Sequence, residues 1–250
     1  MTAIESLALT NYGHFTTMRV EDGRVRGLGM HLDRLVSDCA TLFSAELCPA
    51  NLRERIRGAV AGLEGPVTVR VSVTDPGLSL ARPSAPAHPE LLITTRPAPP
   101  EDQPPLRVRS ARYVRDVPAV KHTGLFGSLF ERRRAQLDGY DDALFIGPDG
   151  LISEGVTWNI GFFDANNLIW PLADVLPGVT ARLLAAAHDG PQRSEPISLS
   201  GLAGMTTAFA TNSTGGIRPI ASIDTTCFDT VNPLLDLLRK QYVDLVPKVI

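Results

Sequence analysis

Lys121 stands alone in the body of a chain with 24 basic residues: the other two lysines, Lys240 and Lys248, fall near the C-terminal end, and arginine fills every remaining basic position. Arginine stays protonated at any physiological pH, whereas a lysine amine can lose its proton near neutrality and condense with an aldehyde. Lys121 is therefore the candidate for carbonyl chemistry. The competing account is an ordinary surface lysine ahead of a helix, in a chain that favours arginine. A second kind of chemistry is suggested by Leu176-Pro177-Gly178-Val179-Thr180, which leads into the run ARLLAAA. A helix opening there would point the amides of Val179 and Thr180 outward, where the positive helix end favours an anion. Asn212-Ser213-Thr214-Gly215-Gly216, after the apolar Ala208-Phe209-Ala210, is a small loop able to offer amides and hydroxyls to a phosphate or a carboxylate. Each of these two segments also reads as an ordinary turn.

The elements that must position these residues divide at a change in composition. Eight of the 20 prolines lie between Pro83 and Pro105, and proline's missing amide hydrogen and fixed φ favour extended connectors. The expected organisation is a smaller α+β domain over 1–96, a linker over 97–109 and a larger domain over 110–250, with Leu91–Thr95 as the last strand of the first. Phe15–Val20 and Arg24–Leu28 read as strands joined at Asp22-Gly23. Leu32, Leu35, Val36, Cys39, Leu42 and Phe43 recur at helical spacing, as do Leu52, Ile56, Ala59, Val60 and Leu63. Val67, Val69, Val71 and Val73 alternate with polar residues, a half-buried strand that Asp75-Pro76-Gly77 stops. Beyond the linker, Leu125, Phe126, Leu129, Phe130 and Leu137 mark a helix. Asp141–Ser153 and Trp158–Trp170 read as hairpins, the second turning at Ala165-Asn166-Asn167. Helices are expected after Gly178 and from Pro233, capped by Asn232, to Leu245.

Composition sets outer limits. With 250 residues, 44% hydrophobic content and a mean hydropathy of +0.04, the chain can bury a substantial core and reads as a soluble globular protein. A net charge of −3 gives no reason to expect a nucleic acid or an anionic membrane as partner. Three cysteines without CxxC spacing indicate neither a disulfide framework nor a metal site. No apolar stretch approaches the roughly 20 residues of a membrane span, and MTAIESLALT lacks the basic start and apolar core of a signal peptide. A cytoplasmic location is the expectation.

VKHTGLFGSL around Lys121, GLISEGVTWNI around Glu154 and Asn159, LPGVTARLL around Thr180 and ATNSTGGIRPI around Ser213, together with GMHLDRL at Gly29–Leu35, occur in the order and spacing of one family. Over about Tyr12 to Ile220 the chain resembles the class IV aminotransferases, pyridoxal-phosphate enzymes of fold type IV that include branched-chain and D-amino acid aminotransferases and aminodeoxychorismate lyase. The resemblance implies a two-domain α+β fold with the cofactor between the domains, and commonly a homodimer. It also implies site roles. Lys121 would form the Schiff base, Glu154 would face the pyridine nitrogen and Asn159 would help orient the site. Val179, Thr180, Asn212 and Ser213 would hold the cofactor phosphate with Arg34 supplying a cation. His14, Phe15, Thr17, His122 and Thr214 are the candidate substrate contacts.

Within the family the expected activity is exchange of an amino group between an α-amino acid and a 2-oxo acid. FTTMRVEDGRV and the dipeptide Lys121-His122 look more like aminodeoxychorismate lyase, which releases pyruvate and 4-aminobenzoate, and that reading stands as the alternative. A third account is a scaffold that keeps the fold without turnover. The chain departs from the family at Asn11-Tyr12-Gly13-His14, where many members read GDG and one further residue, and at Gly124 and Phe126, where many carry an asparagine at the first position or a tyrosine at the second.

Overall fold

The computed structural model describes residues 2–165 and 167–250. The chain forms two compact units: the first takes the chain through Pro99 and adds Val120–Leu125 and Val246–Ile250, and the second comprises Pro100–Ala119 and Phe126–Leu245. Compared with the expected third segment, 110–250, the second unit also takes in Pro100–Arg109 of the expected linker and lacks Val120–Leu125, which carries Lys121, and Val246–Ile250.

The first unit opens with α1 (Ala3–Thr10), held at its start by a reciprocal cap in which Thr2 accepts from the Glu5 amide and Glu5 accepts from the Thr2 amide. Then come β1 (His14–Val20), β2 (Arg24–Val25), α2 (Leu28–Phe43), α3 (Pro49–Val60), β3 (Val67–Thr74) and β4 (Glu90–Pro97). Strands β1, β3 and β4 make an antiparallel sheet in that order. Met18, Val20, Val69, Val71 and Val73 turn one face toward Leu28, Leu32, Leu35 and Cys39 of α2 and Leu52 and Ile56 of α3. The period-two and period-3.6 patterns meet in this core, and each fully buried Leu or Val contributes about 1.5–3 kcal/mol. The return strand expected over Arg24–Leu28 is limited to Arg24–Val25, because Gly27 adopts φ 70° and α2 starts at Leu28. β2 pairs with a two-residue strand at Lys248–Val249.

The second unit runs β5 (Leu106–Arg112), α4 (Phe126–Leu137), β6 (Asp142–Ile146), β7 (Ile152–Gly155), β8 (Asn159–Phe163), β9 (Leu168–Pro171), α5 (Val179–Ala187), β10 (Gln192–Glu195), β11 (Thr207–Asn212), β12 (Gly216–Ile223), β13 (Thr226–Cys227) and α6 (Pro233–Asp244), with a 3-10 turn at Leu199–Gly204. The strand order is β10-β9-β8-β11-β12-β5-β6-β7, and β7 also pairs with β8. That last pairing, Glu154 opposite Asn159, closes β8, β11, β12, β5, β6 and β7 into a barrel. Leu106, Val108, Leu144, Ile146, Ile152, Ile160, Phe162, Ala208, Ala210 and Ile220 share one buried cluster. Alternate residues Phe163, Phe209 and Ile217 pack with Leu184 of α5 and Leu235 and Leu238 of α6. Ala111, Ala143 and Phe145 pack with Ala135 of α4.

β5 begins inside the segment expected to be a linker. Leu106 and Val108 are buried while Arg107 and Arg109 are not, so a strand pattern lay among the prolines, and only 98–105 lacks regular structure. Both expected hairpins form, β6–β7 and β8–β9, and Asn166 of the second turn lies outside the described residues. Helix α4 forms where its apolar spacing predicts, yet Phe126, Leu129, Phe130 and Leu137 are exposed while Ser128 and Ala135 are buried.

Candidate active site

The lysine lies in the strap Val120–Leu125 of the first unit. Its carbonyl accepts from the Phe15 amide at 2.9 Å, and the Thr123 amide donates to the Gly13 carbonyl at 2.8 Å. The Thr123 hydroxyl donates to the Asn11 carbonyl at 2.9 Å. The strap therefore lies antiparallel along the free edge of β1, with His122 bridged to His14. Gly13 is required here, since a Cβ would fall 2.5 Å from the Val73 carbonyl oxygen. On its other side the Lys121 amide donates to Asp38 Oδ2 of α2 at 3.0 Å.

The Lys121 Nζ stands 5.0 Å from the centre of the Phe15 ring, and the Arg70 guanidinium carbon stands 3.6 Å from the same centre. Arg70, on β3, donates to Ser72 Oγ at 3.2 Å. Burial, and then the charge of Arg96, hold its pKa below the usual arginine value. Phe15 and Thr17 alternate with Thr16 and Met18 along β1, so the lysine amine shares the face that Phe15 presents. Arg70 was not anticipated from sequence; its place opposite Thr17 in the ladder was the available signal.

The opposite face of β1 meets α2. There the Thr16 hydroxyl and His31 Nδ1 share a hydrogen bond of 2.7 Å. Burial, then the charges of Arg34 and Lys121, push His31 down to about 3. His14 lies on this face too, fully buried, with its ring tilted against Phe43 at 6.1 Å. Burial pushes it down to about 4. The structure thus brings Phe15 to the amine and turns His14 toward the helix. Arg34, from the same face of α2, is 9% exposed.

The remaining candidates gather in the second unit. Glu154 is buried on β7 and pairs with Arg115, whose Nη1 donates to Oε1 at 3.1 Å, with both side chains 6% exposed. Arg115 also donates to the Pro118 carbonyl at 3.1 Å. The Leu176 amide donates to Glu154 Oε2 at 3.2 Å, and the Asn159 side-chain amide donates to the Leu176 carbonyl at 2.8 Å. Glu154 and Asn159 together hold both backbone groups of Leu176, the residue that leads into α5. Gly178 is the N-cap of α5 and supplies no side-chain cap. A Cβ there would collide with Asn159 Oδ1. Beside this turn the Thr180 hydroxyl is buried and has no hydrogen-bond partner among the described residues.

Strand register places Glu154 opposite Asn159 and Asn159 opposite Thr211, so the loop after β11 begins in the same row. In that loop Asn212 Oδ1 accepts from the Thr214 amide at 2.9 Å, the Thr214 hydroxyl at 2.9 Å and the Gly215 amide at 2.8 Å. Asn212 and Thr214 spend these groups on one another and fix the loop's shape, while Ser213 is half-buried. Sequence reasoning missed Arg115. An arginine six residues before Lys121 carries no spacing signal toward a carboxylate 39 positions away.

The family model described as amino-transferase class IV matches residues 13–223. A probable branched-chain-amino-acid aminotransferase of Rickettsia typhi is 29% identical over 127 residues, covering 48% of this chain and 44% of that protein. The match thus spans less than half the length of that curated relative. The solved structure of the Escherichia coli branched-chain amino acid aminotransferase superposes with a TM-score of 0.88 at 19% identity, covering 98% of this chain and 89% of that one. A Legionella pneumophila structure provisionally described as a 4-amino-4-deoxychorismate lyase gives 0.83 at 23% identity, covering 96% and 93%. These likenesses show the two-domain α+β fold of type IV aminotransferases. Among the described residues no helix is long and apolar enough to cross a membrane.

Proposed function

Because the chain belongs to the class IV aminotransferases, we propose that it passes an amino group from an α-amino acid to a 2-oxo acid using pyridoxal 5'-phosphate. That cofactor, on which the family depends, supplies when bound an aldehyde for a lysine and a ring that draws electrons from the substrate carbon. Lys121 offers the amine for that aldehyde and, once released, moves a proton to and from the substrate Cα. The observation that carries the reading is the setting of this amine, the one lysine in the body of the chain, on a stitched strap beside Phe15 and the desolvated Arg70.

The second unit, taken by itself, carries residues whose chemistry suits a phosphate and a ring nitrogen. The Thr180 hydroxyl is buried without a partner at a helix start that no side chain caps, which suits a phosphate oxygen together with the amides of Val179 and Thr180. Ser213, in the loop that Asn212 shapes, adds a second donor, and Arg34 is carried over from the family as the cation. Glu154, paired with Arg115, is the proposed partner of the ring nitrogen. Asn159 fixes the turn at Leu176. Phe15, Thr17, His122 and Thr214 form the proposed substrate set, with Arg70 added and His14 left out because its ring turns to α2.

The test is borohydride reduction of the protein loaded with pyridoxal phosphate, followed by peptide mass mapping. The expected label is on Lys121, and Lys121→Ala should lose both the label and the visible imine band. Conversion to the pyridoxamine form by an amino donor supports transfer. Release of pyruvate from aminodeoxychorismate without an oxo-acid acceptor supports the lyase reading, which FTTMRVEDGRV and Lys121-His122 suggest. No label on the wild-type protein would leave a scaffold. The proposal includes a homodimer, supported by the exposed Phe126, Leu129, Phe130 and Leu137 on α4, and a cytoplasmic setting, supported by three free cysteines.

A further inference from the structure

Asp38 is a buried carboxylate for which neither the family resemblance nor the proposed chemistry has a use. It lies on α2, is 4% exposed, and shares a helical stripe with His31 and Arg34, seven and four residues earlier. Burying a carboxylate is costly unless its hydrogen bonds are satisfied. Here the carboxylate reaches across 83 positions of sequence to the amide of Lys121 at 3.0 Å. The carbonyl of the same residue is taken by Phe15 at 2.9 Å. Both backbone groups of Lys121 are thus bound from opposite sides, one by a charge-assisted bond to a helix and one by a strand edge. The φ and ψ of residue 121 then set the direction in which its side chain leaves the backbone.

We propose that Asp38 is a positioning residue for Lys121: its carboxylate clamps the lysine's own amide and thereby aims the amine. The inference rests on the reading of Lys121 as the cofactor lysine, and it concerns the hydrogen bond rather than the charge. Asparagine keeps an acceptor oxygen at the same reach, whereas alanine removes it, so the two variants separate these contributions.

Amide hydrogen exchange on the full chain, with and without pyridoxal phosphate, tests the clamp. In Asp38→Ala the Lys121 amide should exchange about 10-fold faster or more, the expected loss for a hydrogen bond to a charged group. The Phe15 and Thr123 amides keep their acceptors and should change by less than about 2-fold. Asp38→Asn should restore most of the protection. On mixing with pyridoxal phosphate, the rate of imine formation should fall about 10- to 100-fold in Asp38→Ala through misaim of the amine, and recover in Asp38→Asn.

Unchanged exchange at Lys121 in Asp38→Ala would overturn the clamp. So would an Asn variant that folds, judged by circular dichroism, yet matches the alanine variant in both readouts. If Asp38→Ala does not accumulate as folded protein, Asp38→Ser, whose shorter side chain cannot span the gap, takes its place against Asp38→Asn under the same criteria. Should wild-type protein form no imine at all, the reading of Lys121 fails. Exchange at its amide still decides whether Asp38 holds it.

Discussion

The two units secure their candidate groups by opposite means. In the first, Lys121 is fixed through its backbone, and the nearby histidines are held uncharged by burial. In the second, Glu154 is fixed through its charged end by Arg115 and a backbone amide. A backbone clamp sets the position from which the amine extends, which suits the bonding and proton transfer proposed for Lys121. An ion pair instead holds the charged end itself, which suits the ring-nitrogen role proposed for Glu154.

The sharpest way to break this contrast is to truncate one member on each side. Arg115→Ala removes the buried cation that meets Glu154 and should cost about 3–5 kcal/mol in urea unfolding. Lys121→Ala, with its backbone bonds intact, should stay within about 1 kcal/mol of wild type. Equal losses would erase the distinction.

A smaller effect separates the units by pH. The unfolded chain protonates His14 and His31 near the ordinary 6.5, but the folded one only near 4 and 3. Lowered folded values mean that their contribution is complete above about pH 6.5 and is lost as pH falls toward 4 and 3, at about 1.4 kcal/mol per histidine per pH unit. Thermal melts from pH 7 to 4.5 should therefore decline, and His14→Phe should decline less steeply. A His14→Phe profile parallel to wild type would remove this histidine from the account.

The smallest expected change is at Thr180. Replacing its unpartnered hydroxyl in Thr180→Val should leave unfolding of the cofactor-free protein within about 0.5 kcal/mol. Affinity for pyridoxal phosphate should weaken about 10-fold, one hydrogen bond to a charged group. Equilibrium titration of the visible band measures it, and unaltered affinity would remove Thr180 from the proposed phosphate site.

Local signals carried most of the elements. The alternation over Val67–Val73 became β3, and Asn232 caps α6 through its bond to the Leu234 amide. Helix α1 was missed, although Thr2 and Glu5 spell a capping box. β5 was missed because the prolines around it outweighed the short Leu106-Arg107-Val108 alternation. The exposed apolar residues of α4 show the limit of periodicity: spacing fixed that a helix forms, while the face it buries was decided by Ala135 packing on Phe145.

Residue types in the sequence determined that a single amine could do aldehyde chemistry and that a glycine-led helix start could receive an anion, because those capacities belong to the side chains and to local backbone geometry. Only the tertiary structure decided that Asp38 and Phe15 hold Lys121, that Arg115 meets Glu154, and that His14 turns to α2. Those outcomes depend on strand register and burial between segments far apart in sequence, which no local pattern encodes.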